Sequence, residues 1–211
     1  MKRARAKEDK QRRREGFLAA AAELFAQGDY EGVTMSQVAA KAGLSKGTVY
    51  LYFRSKEALF LELLMDQLEQ WFAALGPGLA LVKGRPAEDF AAGFVLSLQV
   101  RPQLPRLLSL MHLVLESNLD AEQARAFKER LQQAMLPVAQ QVEDTLGLPR
   151  GRGMPLLLHI HALVLGLQQA APHTDVLREV LADPALANLH VDFHPELQRA
   201  VAALVRGQER G

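Results

Sequence analysis

From Val33 to Phe60 the chain reads VTMSQVAAKAGLSKGTVYLYFRSKEALF, a stretch in which three helix starts are crowded so closely that no strand fits between them. Thr34 with Gln37 three residues on forms a capping box, hydroxyl and amide each satisfying the other's backbone donor, so a helix begins at a defined residue. Val38, Ala39 and Ala42 give that helix a small apolar face, and Gly43 supplies the residue past its end that tolerates a left-handed backbone. Leu44 fills the angle of the turn and Ser45 caps the next helix at once, the pattern of a helix-turn-helix.

The second helix, Ser45 to Leu51, is poorly built as a free-standing element. Gly47 costs it stability, and Lys46 sets a positive charge at the positive end of its dipole. Both choices make sense if an anion sits there. A bare glycine and a lysine at a helix start can press backbone against a phosphate or groove edge. Thr48 then offers a methyl to thymine or a hydroxyl to phosphate, while Val49 turns into the core. Tyr50 and Tyr52 carry hydroxyls suited to backbone phosphates. Ser55 caps a third helix whose next residue is again a cation, Lys56. Singly these are ordinary turn residues and solvated lysines; in this order, with both caps, they select a DNA-binding head.

AGLSKGTVYLYFRSKEALF, preceded by TMSQVAAKAG and by AAAELFAQGDYEGVT, resembles the TetR family of bacterial transcriptional regulators over about residues 13 to 64. The resemblance implies an all-α homodimer. An N-terminal three-helix DNA-binding head would join a larger helical-bundle domain that dimerises and binds a small molecule. It places the DNA contacts on Thr34, Ser45, Lys46, Gly47, Thr48, Tyr50, Tyr52 and Lys56. Leu51 departs from the family pattern, in which that position is often polar or aromatic. The expected organisation is a basic arm at 1–12, a head at 13–56 and a ligand-binding and dimerisation domain at 57–211.

Charge follows the same division. Residues 1–56 hold twelve Lys or Arg against six Asp or Glu, net +6, and the remainder holds thirteen against eighteen, net −5. A basic head attracts duplex DNA through phosphate neutralisation and counterion release. Residues 1–14, MKRARAKEDKQRRR, include eight cations and cannot bury a core, so the first dozen are expected to be disordered. They read either as an arm that follows the DNA backbone or minor groove, or as a solvated tail.

Beyond Ser55 helical periods follow one another with no period-two segment. Ser55 to Leu75 is apolar on more than one side, through Leu61, Leu64, Leu68, Trp71 and Leu75 on one and Leu59, Leu63 and Phe72 on others. It reads as the link between head and body, stopped by Gly76-Pro77-Gly78. Further helices are expected at 87–100, 104–117, 121–146 (with a kink at Pro137) and 155–170. A turn-rich stretch from Pro172 to His194 leads to a final helix opened by Pro195. With no cysteine there is neither disulfide framework nor thiolate metal site, which fits a reducing cytoplasm. The basic N-terminus lacks the apolar stretch of a secretory signal, and Met154 to Leu167 is too short to span a bilayer. The expectation is a soluble cytoplasmic protein without membrane partners.

Ala162 and Gly166, adjoining His159 and Ala170, offer small residues on one helix face where two backbones can approach. With Leu197, Val201 and Leu204 of the last helix they suggest a four-helix interface about a two-fold axis. The alternative is that the small residues pack inside one subunit. Ser109, His112 and Glu116 share a face that reads as pocket lining or as solvent face, and His161 with Gln168 as ligand contacts or as a core pair. Phe90, Phe94, Met111 and Met135 supply adaptable apolar wall for a largely apolar effector, or ordinary core. His190 and His194 lie four apart without a further ligand cluster, so no metal is expected. No nucleophile elbow, P-loop or dinucleotide fingerprint occurs, so neither a cofactor nor catalysis is expected.

These readings converge on a ligand-responsive repressor. Its dimer would hold two recognition helices about one DNA turn, roughly 34 Å, apart on a near-palindromic operator. The other reading is a DNA-organising or interaction protein that uses the same head without ligand control.

Overall fold

The computed structural model describes residues 2–111, 119–172 and 174–208, with side chains from residue 8 onward. Among these residues every regular element is helical: α1 (Lys2–Gln27), α2 (Met35–Lys41), α3 (Lys46–Tyr50), α4 (Lys56–Ala80), α5 (Ala87–Gln99), α6 (Gln103–Leu110), α7 (Ala121–Leu146), α8 (Gly153–Ala170), α9 (Asp175–Leu181), a 3₁₀ helix (Pro184–Leu189) and α10 (Phe193–Gln208). The expected all-α class and its N-terminal helix-turn-helix are present. His112 and Glu116, two of the proposed pocket residues, lie outside the described residues, as does the rest of the helix expected to run to 117.

Contacts divide the chain into two compact units, Met1–Gln67 with Leu110–Ala121, and Leu68–Ser109 with Glu122–Gly211. This division falls within α4. In the first unit Phe17, Ala21, Phe25, Val38, Val49, Leu59 and Phe60 are fully buried. The Phe60 ring meets Phe25 and Tyr30 edge-on at 5.6 and 4.9 Å, geometry that aromatic quadrupoles favour. Residues 2–12, expected as a disordered arm, continue α1 instead.

In the second unit α10 packs chiefly on α5 and also on α8. Trp71 donates its indole N–H to Ser97 Oγ at 2.9 Å, and its ring meets Phe94 edge-on at 5.5 Å. Two breakers behave differently from expectation. Gly76-Pro77-Gly78 does not end α4, which runs on to Ala80. The pull comes from Leu79, which is buried and whose carbonyl accepts a hydrogen bond from Thr145 Oγ1. Pro137 likewise sits inside a continuous α7. The turn-rich stretch contains α9, capped by Thr174, and the 3₁₀ helix, capped by Asp183.

One buried charge organises the second unit. Glu143 is 5 % exposed, and its Oε1 accepts the backbone N–H groups of Gly151 and Gly153 at 2.8 and 2.9 Å. Arg150 adds a contact to Oε2 at 3.3 Å. The Gly153 N–H, and then the Arg150 and Gly151 bonds, hold this carboxyl below the usual glutamate range against the cost of burial. A charged helix residue thereby closes the α7–α8 turn and fixes where α8 begins.

Candidate nucleic-acid interface

The first unit presents α2, a tight turn and α3. Thr34 and Gln37 form the full reciprocal box, the Thr34 N–H donating to Gln37 Oε1 at 2.8 Å and the Gln37 N–H to Thr34 Oγ1 at 3.3 Å. Met35, Val38 and Ala39 bury the inner face of α2. Gly43 adopts φ +71°, which lets its N–H reach the Ala40 carbonyl and the Leu44 N–H reach that of Ala39. The turn is therefore closed by its own backbone.

α3 is a five-residue helix held by one inward anchor, the fully buried Val49. Ser45 occupies the cap position, but its hydroxyl makes no bond to the helix backbone. It pairs with Thr48 Oγ1 at 2.8 Å, so each hydroxyl occupies the other in the free protein. Lys46, Gly47 and Tyr50 are exposed, Thr48 is half-buried, and Thr34 at the start of α2 is exposed. Leu51 is 79 % exposed, a large apolar side chain left in water directly after α3. A Cβ placed on Gly47 would meet nothing within 4 Å, and this glycine has no positive φ. Nothing among the described residues requires a glycine there.

Tyr52 and Lys56 depart from simple phosphate ligands. The half-buried Tyr52 ring lies 5.5 Å from Phe17 and braces α1. Lys56 Nζ donates to the Glu31 carbonyl at 3.3 Å and sits 4.0 Å from the centre of the Tyr30 ring. Burial lowers its pKa, opposed by the nearby carboxylates of Glu31, Glu57 and Asp29. The Tyr30 hydroxyl in turn donates to Glu57 Oε1 at 3.0 Å, and burial and that bond raise its pKa. Burial works against the charge of Glu57. The Glu57 backbone N–H, the hydroxyls of Ser55 and Tyr30, and the Lys56 ammonium together hold its carboxyl below the usual range. Lys56 thus locks the α1–α2 loop to the start of α4, a part that its sequence position did not reveal.

In the second unit, His159, Ala162, Gly166 and Ala170 are all exposed along one face of α8, so the small residues are not packed inside the subunit. Leu197 and Val201 are another matter. Both are fully buried on the face of α10 that packs within its own unit, so they belong to the protomer core and not to an intersubunit seam. Leu204 is half-buried, beside the exposed Ala203 and Gly207.

Of the proposed ligand residues, Phe90, Phe94 and Met111 are buried, and Met135, His161 and Gln168 are half-buried. Phe94 is filled core against Trp71. A separate cleft of ≈ 400 Å³ opens between α4 and α7, with Phe72, Ala134, Pro137 and Val138 as apolar lining. On its lining, Arg130 holds Glu69 through two bonds of 2.7 and 2.8 Å. Pro137 has no N–H for the carbonyl of Gln133, which also lines this cleft. The sequence signal for it was the proline, read above only as a kink. No single helix among the described residues is long and apolar enough to cross a membrane.

Comparison with known proteins gives a consistent result. Residues 17–63 match the family described as bacterial regulatory proteins, tetR family, and residues 65–211 match the Tetracyclin repressor-like, C-terminal domain. The uncharacterised HTH-type transcriptional regulator YdgC of Bacillus subtilis is 29 % identical over 128 residues, 52 % of this chain and 65 % of that protein. The HTH-type transcriptional regulator RutR of Shigella flexneri is 39 % identical over 63 residues, 30 % of each chain. The chain therefore spans less than two thirds of the length of either relative. The crystal structure of a TetR transcriptional regulator from Rhodococcus sp. RHA1 shares the fold with a TM-score of 0.59 at 23 % identity, covering 92 % of this chain and 96 % of that one.

Proposed function

This chain belongs to the tetR family of bacterial regulatory proteins, and from that premise we propose that it is a repressor. It binds a near-palindromic operator as a homodimer through α3, and a small-molecule effector in its second unit releases it. The observation that carries the DNA-binding part is Gly47. At that position the fold tolerates a side chain, α3 loses helix stability without one, and a lysine flanks the gap. A surface whose own packing leaves the glycine unexplained is best accounted for by a backbone pressed against it from outside, and the exposed Lys46 beside it makes a phosphate backbone the fitting partner. Repression is the simplest mode for a head that blocks a promoter. An effector weakens it by the difference in its affinity for the two conformations and by no more. The Arg130–Glu69 cleft, with apolar and charged residues in its lining, is where we place that effector first.

Selection of fragments of the source genome by the purified protein, near physiological salt with competitor DNA, should enrich one or a few palindromes beside promoters. Enrichment of many unrelated sites would replace this reading with that of a DNA-organising protein.

The dimer is assigned to the open face of α8, with Ala203, Leu204 and Gly207 of α10 replacing the buried pair that periodicity suggested. A Cβ on Gly166 meets nothing within 4 Å inside the protomer, so Gly166→Glu leaves the fold intact while setting like charges against each other across a two-fold axis. Light scattering at micromolar concentration should show a dimer for the parent and a monomer for this variant. A parent that is monomeric sinks the assignment.

A further inference from the structure

α1 is longer than the head requires. Residues 8–13 are all exposed, and among the described side chains Phe17 is the first of the helix to be fully buried. Lys2 to Arg14 span roughly 20 Å of helix at 1.5 Å per residue. That stretch holds eight cations against Glu8 and Asp9. Among the described side chains its anchor is Arg14, which pairs with Glu62 and lies 5.9 Å from the centre of the Phe53 ring. Phe17, one turn on, meets the rings of Tyr52 and Phe53 at 5.5 and 6.3 Å. Tyr52 and Phe53 follow α3 after a single residue, Leu51. The extension therefore leaves the head beside Tyr52 and Phe53, the segment that follows the C-terminal end of α3.

A helix of this composition is costly in isolation. Its cations repel one another, no acidic residue stands in its first turn, and among the described side chains the local relief is an exposed Arg12–Asp9 pair at 2.8 Å. A polyanion running past the end of α3 removes the repulsion and supplies the counter-charge. We propose that this extension of α1 is a second DNA-contacting surface that lies along the phosphate backbone flanking the base pairs met by α3. The inference rests on the reading of α2 and α3 as the DNA-binding element. Such a surface adds affinity and salt dependence without reading sequence, because phosphate contacts are common to all duplexes.

The test compares three full-length proteins on a 40-bp duplex of random sequence, with the association constant measured between about 50 and 200 mM salt. The first is the parent. The second carries Arg3→Gln, Arg5→Gln, Lys7→Gln and Lys10→Gln together. The third carries Lys83→Gln, Arg85→Gln, Arg125→Gln and Arg178→Gln, the same charge change made in the second unit. Each lost phosphate contact removes about 0.9 from the salt slope, so the second protein should show a slope shallower by about 2 or more per bound protomer, and at least about tenfold weaker binding at 100 mM. The third should match the parent. A second protein with the parent's slope overturns the proposal and leaves the DNA-binding reading standing. Equal losses in the second and third proteins also overturn it, since bulk charge would then be the cause. A parent that fails to bind the duplex even at 50 mM overturns both.

Discussion

Gly153→Ala is expected to destabilise the protein by more than about 3 kcal/mol, among the largest single-methyl effects the chain can show. A Cβ at this position would stand 2.1 Å from the carbonyl oxygen of Ala139 and 2.8 Å from its carbonyl carbon, with Glu143 Cγ at 3.0 Å. The first two are backbone atoms inside α7 and cannot swing aside as a side-chain tip can. Relief requires the start of α8 to withdraw, and withdrawal breaks the bonds from Gly151 and Gly153 to Glu143. The buried carboxylate then loses the donors that hold its charge, so steric and electrostatic costs arrive together. For a chain of this length the melting temperature should fall by roughly 10 °C. Gly93→Ala is the matched control. It lies inside α5 with nothing within 4 Å of the added methyl, and the gain in helix propensity should leave its melting temperature equal or higher. Similar losses in both variants would show that Gly153 has no special part. Because α8 carries the proposed dimer face, partial survivors of Gly153→Ala should also dimerise more weakly.

The Glu143 cluster marks where legibility ended. The local signals of the head could be read directly, since Thr34 caps Gln37, Gly43 turns left-handed and Val49 faces inward, all within a few residues of one another. Those interactions close over short separations, where the pattern of side chains nearly determines the geometry. Glu143 meets Gly151 and Gly153 across a turn, and a lone glutamate at that place in a helical period looks like solvent face. Leu197 and Val201 failed for a related reason. A stripe at helical spacing announces that a face is covered but does not say by what, and here α10 packs on α5 and α8 within its own unit. Gly76-Pro77-Gly78 reads as a stop by local preference, yet the burial of Leu79 outweighs the loss of one backbone bond. The paired roles of Lys56, over Tyr30 and on the Glu31 carbonyl, lie beyond sequence because its partners come from the far side of α2 and α3.

Gly47 should separate stability from function in opposite directions. Alanine at this site adds helix propensity to α3 and meets no neighbour, so Gly47→Ala should stabilise the protein by roughly 0.5–1 kcal/mol, a rise of a few degrees in melting temperature. Operator affinity, measured on a palindrome recovered from the genomic selection, should fall by about tenfold, worth about 1.4 kcal/mol. The methyl would hold the α3 backbone off the duplex and lengthen the contacts of Lys46 and Thr48 with it. Gly47→Leu extends the series: helix propensity remains better than glycine's, but the larger side chain should cost more than about a hundredfold, or about 2.8 kcal/mol. Stability and affinity moving apart along Gly, Ala, Leu is a signature that a general folding defect cannot produce, since a damaged fold lowers both. If the alanine variant is more stable and binds the palindrome as tightly as the parent, the α3 backbone does not approach DNA at Gly47. Recognition would then rest on the ends of Tyr50, Leu51 and Lys46.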